Sequence, residues 1–164
     1  MGQFDHKLAV VTGASRGLGK AIALELAKEG ASVACVATCT ENAAGVVDAI
    51  TQTGGRARAY GCHVEKAVEV TATFAAIAAD LGPVQIMVNN AGISQPQLTL
   101  EMTEENWDLH MDINAKSIFL CSQAAARQMK DNGGGVIVKS VRSSGVTPFP
   151  PRSAIAPPRL RPIT

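Results

Sequence analysis

Short runs of apolar and β-branched residues alternate along the chain with longer stretches of helical periodicity. The short runs predict strands, namely KLAVVT at 7–12, SVACVA at 32–37, ARAY at 57–60, VQIMV at 84–88 and GVIV at 135–138. The helical stretches lie at 17–29, 41–53, 66–81, 103–113 and 115–131. Because strands that alternate with helices form parallel sheets through helical crossovers, the pattern predicts an α/β fold with a doubly wound parallel sheet.

Glycines and prolines indicate where these elements stop. Glycines that follow predicted helices are Gly30, Gly54, Gly55 and Gly82. Six of the eight prolines fall within residues 148–164, a density that no helix or inner strand tolerates. The sequence therefore predicts one domain at 1–138 and an irregular, basic, Pro-rich tail at 139–164, with a linker or SH3-type ligand as the alternative interpretation of that tail.

Composition narrows the choice of partners. With 164 residues, 46% of them hydrophobic, the chain can build the core of one domain. It has neither a membrane-spanning apolar stretch nor the order of a signal peptide, so we expect a cytoplasmic protein with no membrane partner. Residues 132–164 carry 5 basic and no acidic residues, but their only aromatic neighbour is Phe149, so nucleic-acid binding is not expected.

The cysteines and the single tyrosine are predicted to be structural. Residues Cys35, Cys39, Cys62 and Cys121 form no CxxC pair and lie among apolar neighbours. This pattern predicts buried free thiols rather than disulfides or a metal site. Tyr60 lies on the third predicted strand, where packing is the expected role.

The first strand leads into a glycine-rich turn, LAVVTGASRGLG at 8–19, at the start of the first helix. Glycines let the backbone approach a pyrophosphate, and the amide groups and positive dipole of the following helix face that charge. A strand, glycine turn and helix in this order are typical of a dinucleotide-binding βαβ unit. The predicted cofactor contacts in this turn are Gly13, Ser15, Arg16, Gly17, Leu18 and Gly19.

Two motifs carry a resemblance to a known family. The spacing Thr-Gly-x-x-x-Gly-x-Gly at 12–19 and the sequence Asn-Asn-Ala-Gly at 89–92 resemble those of short-chain dehydrogenases/reductases. The resemblance extends over about residues 6–138 and implies a Rossmann-type sheet, here incomplete with about five strands. It also implies that Asn90, Ala91 and Gly92 line the adenine–ribose side of the pocket. TGASRGLGKAIA and NNAGIS are most similar to 3-oxoacyl-acyl-carrier-protein reductases, and other alcohol dehydrogenases of the family share these motifs.

The choice between NADP(H) and NAD(H) depends on the charge after the second strand. An acid there would bind the ribose 2′-hydroxyl and repel a 2′-phosphate, but VATCT at 36–40 has none and includes Thr38. Arg16 would pair with a 2′-phosphate, as the resemblance implies for NADP-preferring members, so we expect NADP(H). After the third strand the family usually has an acid followed by an aliphatic residue, and this pair holds the adenine amino group. This chain has His63 and Val64 there. A contact from the backbone is therefore still expected, but the contact from a carboxylate is lost.

The chain lacks most of the residues that perform the family's chemistry. Carbonyl reduction needs a proton donor, and the family uses Tyr-x-x-x-Lys, a Ser after the fifth strand and an Asn in the preceding helix. Asn114 matches the Asn and is the catalytic candidate here, whereas Ser143 and Ser144 lie two places late and no Tyr-x-x-x-Lys follows them. The resemblance therefore implies little or no turnover by this chain.

A C-terminal truncation, with a change of reading frame after about Val138, would account for this loss. One choice of synonymous codons for residues 139–145, read from the third base, gives Val-Ser-Ser-Val-Val-Gly, which is the family's serine segment. The same shift over residues 154–160 gives Tyr-Cys-Thr-Ala-Lys-Ala, which contains Tyr-x-x-x-Lys. A mutation, an alternative transcript and a sequencing error remain open as its origin.

Three function hypotheses remain open. The first is an NADP-dependent oxidoreductase by resemblance, of the carbonyl or 3-oxoacyl reductase class, whose intact form acts on a small-molecule carbonyl or an acyl thioester. The second is a non-catalytic nucleotide-binding or regulatory fragment, and the third is an aberrant product without a function. The family usually dimerises through the helix predicted at 115–131, and truncation would remove the companion helix of that homo-oligomer contact and expose a sheet edge.

Overall fold

The computed structural model describes residues 2–95, 98 and 100–140. Within these residues the strands are β1 Leu8–Thr12, β2 Ser32–Ala37, β3 Arg56–Gly61, β4 Ile86–Asn89 and β5 Val136–Lys139. The α-helices are α1 Gly17–Lys28, α2 Thr40–Gln52, α3 Ala67–Leu81, α4 Glu104–Met111 and α5 Ser117–Asp131. A π-helical segment, Asp112–Lys116, joins α4 to α5. The predicted tail lies outside the described residues beyond Ser140.

The strands form one parallel sheet in the order β3-β2-β1-β4-β5. At its centre Val10 of β1 pairs with Ala34 of β2 on one side and with Met87 of β4 on the other. The chain therefore moves outward in one direction from β1 to β3 and then returns to add β4 and β5 on the opposite side. This order confirms the predicted doubly wound sheet and places a topological switch point between β1 and β4, where open α/β sheets bind ligands.

Helices cover both faces of the sheet and define two cores. Alternate residues of a strand point to opposite faces, so Val10 packs with Phe74 of α3 and Met129 of α5. On the other face Val11 packs with buried residues of α1 and α2 such as Val46. β1 is buried along its whole length, which explains why its sequence is continuously apolar rather than alternating.

The predicted boundaries agree with the observed ones to within about two residues for most elements. The exception is the region predicted as two helices with a break at Asn114. In the structure α4, the π-helical segment and α5 follow one another without a break. The helix-ending glycines Gly30, Gly54 and Gly82 have positive φ angles of 93°, 83° and 100°, as their predicted role requires.

The prediction for the cysteines is correct for three of the four. Cys35, Cys62 and Cys121 are buried free thiols, whereas Cys39 is an exposed free thiol. Cys39 was expected to be buried because apolar residues precede it, but β2 ends at Ala37 and Cys39 is already the N-cap of α2. No group of His, Cys, Asp and Glu among the described residues could hold a metal ion.

The outer side of β5 is poorly covered. Val136, Ile137 and Val138 are 59%, 42% and 46% exposed. Among the described strands, only β4 pairs with β5. An apolar groove of about 340 Å³ runs beside it on the α1 face, lined by Phe4, Ile22, Leu26, Ile86, Val88, Val136, Val138 and Ser140. In the described ranges no helix has the length and apolar character needed to cross a membrane.

Candidate functional site

The hydroxyl of Thr12 joins the two turns that the sequence assigns to the cofactor. It accepts hydrogen bonds from the backbone N–H groups of Asn90 and Ala91, both at 3.0 Å. The Asn90 side-chain amide donates in return to the carbonyl oxygens of Thr12 and Gly13, at 2.9 and 3.3 Å. The glycine turn after β1 and the turn after β4 therefore form one unit at the carboxyl edge of the sheet, at the switch point.

Two of the three glycines of the first turn, Gly13 and Gly19, have no room for a side chain. Gly13 has a φ of +65°, and a Cβ there would lie 3.0 Å from the Ala91 Cα. A Cβ on Gly19 would overlap the carbonyl oxygen of Gly13 and the amide of Asn90. Gly17 has a φ of +56°, but a Cβ there would meet nothing within 4 Å. The turn is thus packed tightly below and open above Gly17, as a cradle for a ligand should be.

The amino end of α1 faces this opening without a capping side chain. Its N-cap, Arg16, has extended backbone and makes no side-chain cap hydrogen bond, and the first turn contains no acid. Arg16 and Leu18 are exposed and Ser15 is half-buried. The unpaired amide groups of a helix start, its positive dipole and a nearby guanidinium all favour an anion, so this end of α1 suits a diphosphate.

The turn after β2 holds a carboxylate that the sequence analysis did not consider. Thr38 is exposed, and its hydroxyl accepts a hydrogen bond from the Asn42 amide at 3.0 Å. Glu41 lies in the first turn of α2. A hydrogen bond from the backbone N–H of Glu41, followed by one from the Cys39 thiol, lowers the pKa of this carboxyl group. VATCT indeed contains no acid, yet an ionised Glu41 lies one residue beyond it. Glu41 could have been found from the sequence, because acidic residues are favoured in the first turn of a helix.

The turn after β3 lies against the turn after β2. A Cβ on Gly61 would be 3.2 Å from both the Cys39 Cα and the Thr40 nitrogen, and the N–H of Cys62 donates to the Ala37 carbonyl at 2.8 Å. His63 follows with an exposed side chain, and Val64 after it is buried. The turn after β3 therefore places the exposed His63 beside the turn after β2, whereas Val64 belongs to the hydrophobic core.

His63 is held by Glu69, a residue that the sequence analysis missed. Oε2 of Glu69 accepts from the backbone N–H of His63 at 2.8 Å and lies 3.0 Å from its Nδ1. Oε1 of Glu69 lies 3.0 Å from Nζ of Lys66. The hydrogen bond from the His63 N–H, followed by that from Lys66, lowers the pKa of Glu69 to about 2. An acid in the first turn of a helix, close behind a strand end, was the available signal.

Asn114, the predicted catalytic candidate, lies in the π-helical segment and reaches the turn after β4. Its Oδ1 accepts from the Ile93 N–H at 2.8 Å, and its Nδ2 donates to the Ile93 carbonyl at 3.0 Å. A Cβ on Gly92 would be 3.1 Å from that Oδ1. The structure thus gives Asn114 a positioning contact to the turn, and π-helical turns occur frequently at functional sites. Its catalytic role stays a prediction.

Tyr60 has the packing role that the sequence predicted. It is 8% exposed on β3, and its hydroxyl donates to Oδ2 of Asp80 at 3.1 Å. Burial, reinforced by this contact with Asp80, raises the pKa of Tyr60 to about 12. A buried phenol with a raised pKa is a poor proton donor at neutral pH. Ser143 and Ser144 lie outside the described residues.

The chain is similar in sequence to known short-chain dehydrogenases. A family model described as short chain dehydrogenase matches residues 7–154, which extends beyond the expected end of the resemblance near Val138. The 3beta-hydroxysteroid dehydrogenase of Mediterraneibacter gnavus is 38% identical over 156 residues, which cover 94% of this chain and 56% of that protein. A 3-oxoacyl-[acyl-carrier-protein] reductase of Staphylococcus aureus is 41% identical over 133 residues, which cover 80% of this chain and 54% of that protein.

Solved structures are similar over the same part of the chain. The hydroxysteroid dehydrogenase from Escherichia coli has a TM-score of 0.80 at 39% identity, covering 83% of this chain and 57% of that one. A 7 alpha-hydroxysteroid dehydrogenase complexed with NADH and 7-oxo glycochenodeoxycholic acid has a TM-score of 0.79 at 39% identity, covering 83% and 53%. The chain spans about half the length of the curated relatives it matches.

Proposed function

The chain belongs to the short-chain dehydrogenase family, and from that premise we propose that the crevice at its switch point binds NADP(H). The observation that carries the proposal is the unit formed by the two turns. The Thr12 hydroxyl joins Asn90 and Ala91 to the glycine turn, and the space above Gly17 is open beside the uncapped start of α1. A cofactor diphosphate fits there because backbone amides and a helix dipole face it.

The preference for NADP(H) rests on Arg16. Its guanidinium is exposed at the edge of the turn, and a planar guanidinium pairs well with a phosphate. The exposed Thr38 takes the place where an acid would select the 2′-hydroxyl. Glu41 opposes this preference, since its carboxylate would repel a 2′-phosphate at short range. We place the balance with Arg16 because its planar guanidinium can pair directly with a 2′-phosphate, whereas the Glu41 carboxylate acts on that phosphate only through its charge.

The reaction class follows from the cofactor and the chain's own residues. NADPH supplies a hydride to a carbonyl carbon when it is bound. We assign Asn114 to holding the turn after β4 in place through Ile93, so that the substrate side of the crevice keeps its shape. The substrate class is a small-molecule carbonyl, with a 3-oxoacyl thioester as the finer assignment.

We further propose that this chain binds the cofactor with little or no turnover. The sequence contains one tyrosine, and the Tyr60 hydroxyl on β3 donates a hydrogen bond to Asp80 of α3. No other phenol is present to protonate the alkoxide that hydride transfer creates. A non-catalytic nucleotide-binding fragment is therefore the second candidate function, and it shares the crevice with the first.

The test of the cofactor assignment is a titration of the 164-residue chain with NADP⁺ and NAD⁺ by isothermal calorimetry. Replacing Arg16 with Ala should weaken NADP⁺ binding by about tenfold or more, as expected for the loss of a charged hydrogen bond, and leave NAD⁺ binding unchanged. Arg127→Ala is the matched control, since that arginine contacts Gln123 on α5. Equal loss for both cofactors would contradict the assignment of Arg16 to the 2′-phosphate.

A further inference from the structure

The segment that follows the turn after β4 is attached at two points to the helix formed by α4 and the π-helical segment. Asn114 contacts both backbone groups of Ile93, and Nε2 of His110 accepts a hydrogen bond from the Gln95 N–H at 3.0 Å. His110 lies four residues before Asn114, so the two side chains share one face of the helix. This face therefore holds segment 93–95, which leads directly out of the turn after β4.

The two contacts of the His110 ring fix its protonation state. Nδ1 lies 2.7 Å from the Asn106 carbonyl oxygen, which can only accept, so Nδ1 carries a hydrogen. Nε2 faces the Gln95 N–H, which can only donate, so Nε2 carries a lone pair and no hydrogen. Both contacts exist together only in a neutral imidazole. Protonation would set one N–H against another at Nε2, so the contact with Gln95 would be lost.

The charged groups closest to His110 in sequence lie on other faces of its helix. Segment 93–95 contains no ionisable side chain, and the helix positions one turn away from the ring carry Asn106, Trp107, Ile113 and Asn114. Asp108 and Asp112 lie two residues away, where side chains do not face each other, and Asp112 contacts Lys116 at 3.1 Å. Among the described residues, no carboxylate oxygen lies within 4.0 Å of a ring nitrogen of His110. Since histidine changes its charge between about pH 5 and pH 8, acidification converts Nε2 from an acceptor into a donor.

We infer that His110 is a positioning residue for the crevice, and that it holds segment 93–95 only while its ring is neutral. Acidification releases Gln95, whereas the side-chain amide of Asn114 does not titrate and keeps its own contact. The consequence for NADP(H) rests on the proposed function: the wall of the crevice beyond Gly92 loosens, and cofactor affinity falls, as the pH is lowered. The contact between His110 and Gln95 can be tested without a cofactor.

NMR of the cofactor-free 164-residue chain, isotope-labelled in nitrogen, tests that contact directly. At pH 8 the chemical shifts of the ring nitrogens should place the hydrogen of His110 on Nδ1. Protection of the Gln95 amide against solvent exchange should fall about three- to tenfold between pH 8 and pH 5, as expected for the loss of one hydrogen bond. The amide of Val10, which is buried in β1, should stay protected at both pH values.

Three variants separate the His110 ring from other effects of pH. His110→Gln offers an acceptor that does not titrate, so protection of Gln95 should be the same at both pH values. His110→Leu removes the acceptor and should leave Gln95 poorly protected at both. His6→Asn is the matched control, because it removes a titrating histidine from the turn before β1, and asparagine tolerates the positive φ of 65° at that position. This control should respond to pH as the wild-type chain does.

A His110 hydrogen on Nε2 at pH 8, or wild-type protection of Gln95 that does not change with pH, would overturn the inference. An equal pH response in His110→Gln, or an equal loss of protection at Val10, would overturn it too, since the effect of pH would then arise elsewhere.

Titrations with NADP⁺ at the two pH values test the consequence for the crevice. Acidification should weaken binding by the wild-type chain about two- to fivefold more than binding by His110→Gln. Equal weakening would overturn the role of His110 in positioning the crevice. Failure of the folded wild-type chain to bind NADP⁺ at pH 8 would overturn the proposed function, while the NMR result would still decide the contact between His110 and Gln95.

Discussion

Single side chains at the carboxyl edge of the sheet hold the crevice together across long distances in sequence. Thr12 is 2% exposed, and its hydroxyl serves two N–H groups that are 78 and 79 residues away. Threonine in a continuously apolar strand is explained by this contact. A hydroxyl that satisfies two backbone donors also prevents both from being buried without partners.

Replacing Thr12 with Val keeps the shape of the side chain and removes the acceptor. The N–H groups of Asn90 and Ala91 would then lack their partner, which should lower the free energy of unfolding by about 1–3 kcal/mol. Urea denaturation followed by circular dichroism measures this change. Thr12→Ser keeps the hydroxyl and should lower the free energy of unfolding by less than about 1 kcal/mol. Equal decreases in the two variants would show that the methyl group, not the hydroxyl, is responsible.

The roles of residues were predictable from the sequence where they depend on neighbouring residues in the chain. They were missed where the hydrogen-bond partners are distant in the sequence. The positions of Gly13, Gly17 and Gly19 follow from a turn that needs close backbone approach, which a short motif reveals. The link from Thr12 to the turn after β4, and the link from Asn114 to Ile93, depend on the tertiary fold and leave no periodic signal. Glu69 lies close to His63 in sequence, but its role requires knowing where β3 ends and α3 begins.

At the scale of elements, hydrophobic periodicity was sufficient for the sheet and for most helices. Buried parallel strands are continuously apolar and their crossover helices have one apolar face, so the two patterns are easily separated. The π-helical segment was not predictable, because a single widened turn barely alters the periodicity of the about two helical turns before it and the about four after it. Asn114 suggested a break, whereas the helix continues and the wide turn directs its side chain toward Ile93.

Buried thiols in β2 and α5 make the fold sensitive to alkaline pH. Burial raises the pKa of Cys35 and of Cys121 from 9.0 to about 12. The folded state therefore keeps protons that the unfolded state loses above about pH 9, so stability is full below that pH and falls between about pH 9 and pH 12. Each thiol should contribute a decline of about 1.4 kcal/mol per pH unit in that window.

Urea denaturation at pH 8 and pH 10 measures the decline. The free energy of unfolding of Cys121→Ala should fall less between these pH values than that of the wild-type chain. The variant lacks the Cys121 thiol, which in the wild type ionises in the unfolded state but not in the folded state. The exposed Cys39 provides the control, and Cys39→Ala should decline as the wild type does. A Cys121→Ala decline as steep as that of the wild type would show that other groups dominate.

At the scale of the whole molecule, the two sides of the sheet differ in how well they are covered. β1 is buried throughout, whereas every residue of β5 is exposed. The groove beside β5 adds apolar surface from α1 and β4. An exposed apolar edge strand is a template for pairing with another chain, so the described part of this protein has a surface that favours self-association.

A lysine on β5 should reduce that self-association. Val138→Lys places a charge on the exposed edge and beside the groove, which opposes pairing between copies. Sedimentation velocity should show less high-mass material than for the wild-type chain at the same concentration. Val68→Lys is the matched control, because Val68 is 82% exposed on α3, against the opposite face of the sheet. Equal effects of the two variants would mean that added charge alone, rather than its place on β5, governs association.

We propose that this chain binds NADP(H) with little or no turnover. NADPH binding and NADPH oxidation in the presence of a 3-oxoacyl thioester, measured on one preparation, test both halves together. Gly19→Ala places a methyl group against Gly13 and Asn90 and should abolish binding, whereas Gly45→Ala, on an open face of α2, should bind as the wild type does. We expect the wild-type and Gly45→Ala chains to bind NADPH, and we expect little or no NADPH oxidation by any of the three chains. A folded wild-type chain that fails to bind, Gly19→Ala binding equally well, or sustained NADPH oxidation would contradict it.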